Sequence, residues 1–125
     1  MSRRIQILII EDDAVDAELL VMALNRAGVE FDWKRVDTED AYLDCLRPDL
    51  DLIFSDCRMP RFNALRALEM LKERGLKIPF IIMSGSIEES TAAEAIRQGA
   101  TSCLVKGQKV DLKQVVRQAL GEAAP

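Results

Sequence analysis

The chain has 125 residues, of which 49% are apolar and 30% charged, so it is long enough for one domain with a real core and too apolar for intrinsic disorder. Seventeen basic residues against 21 acidic ones leave a net charge of -4, which argues against a phosphate-gripping nucleic-acid surface. Histidine is absent, which excludes Ser-His-Asp and Cys-His catalysis, histidine metal ligation and a phosphohistidine on this chain.

The apolar runs are too short for a membrane span, and no signal peptide is expected from the opening residues. Cys45, Cys57 and Cys103 are odd in number and match no zinc spacing, so reduced thiols and a cytoplasmic setting are expected.

In chain order, Ile5–Ile10 is a continuous apolar run, the signature of a strand buried on both faces. Leu20, Ala23, Leu24 and Ala27 fall at i, i+3, i+4 and i+7, a helical stripe closed by Gly28. Phe31–Val36 is more polar and partly alternating, which suits an edge strand. Ala41, Tyr42 and Cys45 make a short helical stripe that must stop before Pro48. Leu52–Phe54 is a second buried strand, followed by the stripe Ala64, Ala67, Leu68 and Leu71 with Gly75 at its end. Phe80–Met83 precedes the stripe Ala92, Ala95 and Ile96, which Gly99 closes. Cys103–Val105 is the last strand, and Leu112, Val115, Val116 and Ala119 form the last helix after Asp111, a good N-cap.

Strand and helix thus alternate five times. Short links and right-handed crossovers turn that alternation into an α/β fold, a five-stranded parallel sheet with helices on both faces. The expected strand order is 2-1-3-4-5, the flavodoxin-like doubly wound (βα)5 arrangement. One domain is expected over 1–125, with a core of about 4–121.

In such a sheet, ligands bind beyond the carboxyl ends of the strands, at the switch point between strands 1 and 3. That rule selects Glu11-Asp12-Asp13, Ser55-Asp56, Ser84-Gly85-Ser86 and Lys106-Gly107. Clustered carboxylates repel one another, so either a proton or a cation must enter. All-oxygen donors without histidine or thiolate point to Mg²⁺. A metal beside a carboxylate nucleophile, a hydroxyl and an ammonium is a set suited to phosphoryl transfer. Each piece has a plainer reading: Asp13 as a helix cap, Ser84 as a turn hydroxyl, Lys106 as a surface cation, Cys57 as core.

At these residues the chain resembles the receiver domains of two-component response regulators, and the match runs along essentially its whole length. The resemblance rests on Ile9-Ile10-Glu11-Asp12-Asp13, on Ser55-Asp56-Cys57-Arg58-Met59-Pro60, on Ser84-Gly85, and on Gly99-Ala100 leading to Leu104-Val105-Lys106. It implies that Asp56 accepts a phosphoryl group from a partner histidine kinase or phosphotransfer protein, in a Mg²⁺-dependent reaction. Asp12 would be a direct metal ligand, Glu11 a ligand through water, and Arg58 the donor of a backbone carbonyl. Ser84 and Lys106 would bind the phosphoryl oxygens. The chain would be a signalling domain rather than an enzyme, switching a surface around the fourth helix, fifth strand and fifth helix. Its output would pass to a downstream protein or an attached output domain, with no nucleic acid or membrane bound by this domain.

Four positions depart from the family pattern. Cys103 stands where a switch aromatic is common, and Gly107 stands where a cis-proline usually follows the lysine, so a trans bond or a reshaped loop is expected there. Arg61-Phe62 replaces a common glycine, and Gly85 replaces a usual alanine. The alternative is a receiver-shaped interaction module that is never phosphorylated. A Mg²⁺ phosphohydrolase is disfavoured because such enzymes carry a second acid two places after the nucleophile, where this chain has Arg58. A flavin site is disfavoured because the acidic loop after strand 1 repels phosphate.

Overall fold

The computed structural model describes residues 4–57, 62–85 and 90–121. The elements run β1 (Ile5–Ile10), α1 (Ala14–Arg26), β2 (Phe31–Val36), α2 (Glu39–Cys45), β3 (Leu52–Asp56), α3 (Ala64–Glu73), β4 (Phe80–Ser84), α4 (Ser90–Arg97), β5 (Ser102–Val105) and α5 (Leu112–Ala119). The five strands form one parallel sheet in the order β2-β1-β3-β4-β5. This is the flavodoxin-like arrangement expected from the alternation.

The continuous apolar strands serve two cores, because successive side chains point to opposite faces. Leu8, Ile10, Ile53, Phe80 and Ile82 pack on α2, α3 and α4, whose Tyr42, Ala67, Leu68, Leu71, Ala92 and Ala95 fill that layer. Ile7, Ile9, Leu52, Phe54, Ile81 and Met83 pack on the other face against Ala17 and Leu24 of α1 and Val116 of α5. Each such aliphatic side chain gains about 1.5–3 kcal/mol from full burial. Tyr42 is fully buried, and its hydroxyl donates to the Ala67 carbonyl at 2.7 Å, which pins α2 to α3. Burial pushes its phenol pKa up, so it remains a donor.

The helix ends follow local chemistry. Asp13 caps α1 by accepting from the Val15 and Asp16 amides, and Thr38, Asn63 and Asp111 cap α2, α3 and α5 in the same way. Gly28, at φ +84, ends α1: its N–H donates to the Asn25 carbonyl while that of Val29 donates to Leu24. Only glycine adopts that left-handed turn at no steric cost.

β2 departs from its expected alternation. It is an edge strand, but only Phe31 and Val36 are buried, while Asp32 to Arg35 are all exposed at the sheet margin. Trp33 is among the exposed large side chains. Its place beside a single neighbour, β1, leaves these four positions uncovered.

Candidate functional site

Strand register builds the site before any side chain is considered. Ile10 of β1 pairs with Ser55 of β3, Asp56 pairs with Met83, and Ser84 of β4 pairs with Val105 of β5. The residues at or just past these pairs, Glu11, Asp56, Ser84 and Lys106, therefore lie together at the carboxyl ends of neighbouring strands. The main chain extends the ladder: the Glu11 amide donates to the Val36 carbonyl at 3.0 Å, and the Lys106 amide donates to Ser84 at 2.7 Å.

Glu11 is only 1% exposed. Its carboxylate accepts from Lys106 Nζ at 3.0 Å and from the Asp13 amide at 3.3 Å, while Arg35 donates to its backbone carbonyl at 3.0 Å. Burial pushes the Glu11 pKa up, to about 7; the Lys106 hydrogen bond opposes that rise, and the neighbouring Asp56 carboxyl adds to it. Asp56 is the last residue of β3 and mostly buried, with Oδ2 at 3.4 Å from Lys106 Nζ. Asp12 is exposed at the mouth of the crevice. One carboxylate oxygen each from Glu11, Asp12 and Asp56 lie within 4.8 Å of one another. Ser84 ends β4 and is fully buried.

Lys106 touches more acids than expected. Besides Glu11 and Asp56, its Nζ donates to Asp16 Oδ2 at 3.1 Å. Burial opposes the charged ammonium, but the hydrogen bonds to Glu11 and Asp16 and the charges of Asp56 and Glu11 outweigh it, so Lys106 stays protonated. Sequence reasoning passed over Asp16. Its signal was its place three residues after the Asp13 cap, in the first turn of a helix that opens at the crevice.

Three clustered carboxylates offering only hard oxygens, with one ammonium beside them, suit a small divalent cation better than any soft metal. The Arg58 carbonyl lies outside the described residues, as do Arg61 and Ser86. Phe62 is buried in the α2–α3–α4 core, and Cys57 is buried too. Cys103 is half-buried against that same core, and burial raises its thiol pKa. Gly107 sits at φ +81, and no cis peptide occurs among the described residues, so a trans bond and a left-handed glycine turn stand after Lys106. A groove of about 740 Å³ flanks the acids on the α1–α5 side, with Leu19, Leu20, Leu104, Val110 and Leu112 in its walls.

A family-wide profile described as "Response regulator receiver domain" matches residues 7–117. The chain belongs to this family. It is 32% identical over 128 aligned positions to the transcriptional regulatory protein FixJ of Bradyrhizobium diazoefficiens, covering all of this chain and 61% of that protein. It is 34% identical over 120 positions to the response regulator protein FleR of Pseudomonas aeruginosa, covering 94% of this chain and 25% of that protein. The crystal structure of full-length FixJ from B. japonicum superposes with a TM-score of 0.80 at 30% identity, over 99% of this chain and 61% of that one. The chain therefore spans about three fifths of FixJ and a quarter of FleR. Receivers are signalling domains, and the fold and chain order found here are those of the family. Among the described residues, no helix of this receiver is long and apolar enough to cross a membrane.

Proposed function

We propose that this receiver is the phosphoacceptor of a two-component or phosphorelay system, with Asp56 as the phosphorylated residue. The observation that carries this reading is the Lys106 ammonium 3.4 Å from the Asp56 carboxylate, at the edge of the Glu11–Asp12–Asp56 cluster. An Asp56 oxygen attacks phosphorus, the P–N bond of the donor's phosphohistidine breaks, and the imidazole nitrogen leaves with the bonding pair and takes a proton from solvent. The product is an acyl phosphate on Asp56. Lys106 and the Ser84 hydroxyl bind the transferred oxygens. A Mg²⁺ held by Asp12 and Asp56, by Glu11 through water and by the Arg58 carbonyl would neutralise further charge on those oxygens.

These 125 residues hold no histidine, so the donor histidine lies outside them, on a kinase or phosphotransfer domain. The added charge draws Ser84 and Lys106 inward and biases a two-state surface around α4, β5 and α5, read by a downstream protein or an attached output domain. The domain acts as one unit over 1–125, in the reducing cytoplasm that suits its three cysteines.

Intact-mass spectrometry with a small acyl phosphate and Mg²⁺ tests this reading. The parent should gain one phosphate, and Asp56→Asn should gain none. No gain in the parent would instead mark an interaction module, and sustained turnover of phosphoesters would mark a hydrolase.

A further inference from the structure

The Lys106 ammonium has three protons and three carboxylate neighbours: Glu11 at 3.0 Å, Asp16 at 3.1 Å and Asp56 at 3.4 Å. Two of these acids belong to the oxygen cluster suited to a divalent cation, and Asp16 does not. A cation held by the cluster would offset the pull of Glu11 and Asp56 on the ammonium and leave that of Asp16 untouched. Asp16 belongs to the first turn of α1, whose cap Asp13 directly follows Asp12, so its position is tied to the crevice by a short, hydrogen-bonded stretch of chain.

We propose that Asp16 is a positioning residue for phosphoryl transfer: it holds the Lys106 side chain toward α1 and competes with the phosphoryl group on Asp56 for the same ammonium. This rests on the phosphoacceptor reading above. Lys106 then serves as a tether between α1 and the strand ends when Asp56 is bare, and phosphorylation draws it off Asp16. The balance between the two states depends on the Asp16 carboxylate, although that group is not part of the Glu11–Asp12–Asp56 cluster.

Beryllofluoride, a phosphoryl mimic that binds carboxylates reversibly, gives an equilibrium reading at saturating Mg²⁺. Asp16→Asn should bind it about two- to fivefold more tightly than the parent, the scale of one half-exposed ion pair. Asp16→Glu, which keeps the charge, should stay within about twofold of the parent on the same scale. A residue that merely supports the fold would weaken binding when replaced, so the sign separates the two roles. The side-chain ¹⁵N resonance of Lys106 supplies a second reading. Its ammonium signal should be broader in Asp16→Asn than in the parent and match the parent in Asp16→Glu, which a loss of long-range repulsion alone would not produce. Unchanged or weaker beryllofluoride binding by Asp16→Asn, or an unaltered Lys106 resonance, would overturn the role of Asp16 alone. Failure of the parent to bind beryllofluoride would overturn the phosphoacceptor reading and this role together.

Discussion

Glu11 shows how one buried side chain can set a pH dependence. A glutamate in the unfolded chain titrates near 4.5, and burial moves this one to about 7 in the fold. The folded state therefore holds the proton more tightly than the unfolded state does. The stabilisation that follows is complete below the unfolded value and is lost as pH rises through the folded one. A rise of that size is worth roughly 3 kcal/mol at full effect. In metal-free buffer, the Tm of the parent should fall as pH goes from 5 to 8, and Glu11→Gln should flatten that slope in thermal melts followed by circular dichroism. A parent profile that is flat or rising over this window would contradict the burial argument. Asp32 and Glu94, whose pKa values are lowered by hydrogen bonds to Gln6 and Arg97 respectively, act at lower pH and in the opposite sense.

At the scale of elements, caps and periodicity carry most of the local decisions. Asp111 accepts from the Gln114 amide at 3.2 Å at the start of α5. Asp111→Ala should cost about 1 kcal/mol, the usual value of a lost N-cap, and should lower the urea midpoint with no change in m. The elements themselves were legible in the residues. Ile5–Ile10 and Phe31–Val36 have the bounds expected for them, and Gly28 and Gly75 stand just past the helices they were expected to close. The patterned stripes located helices better than their ends: α1 begins at Ala14, six residues before Leu20, because the Asp13 cap and not the apolar stripe sets its start. The edge position of β2 was legible in its polarity, but the exposure of all four middle residues was not, since partial alternation predicts one covered face.

The whole molecule depends on one sheet serving two cores. Phe54, fully buried in the layer under α1 and α5, anchors that side together with Phe31. Phe54→Ala should remove about 3–5 kcal/mol, a large share of a domain's total stability, and should lower the transition for both layers at once. Separate transitions by fluorescence of Trp33 and by far-UV circular dichroism would show that the layers do not unfold together.

The sequence by itself determined the order of elements, the doubly wound parallel sheet and the placing of Glu11, Asp12, Asp56, Ser84 and Lys106 at strand ends, because burial and turn preferences are properties of short stretches of chain. Tertiary structure alone decided that Glu11 is the most deeply buried acid among the described residues, that Asp16 shares Lys106, and that the groove lies beside the crevice, between α1 and α5. Those outcomes depend on side chains 90 and 95 residues apart meeting across a fixed strand register, and no local pattern encodes a distance of 3 Å between them.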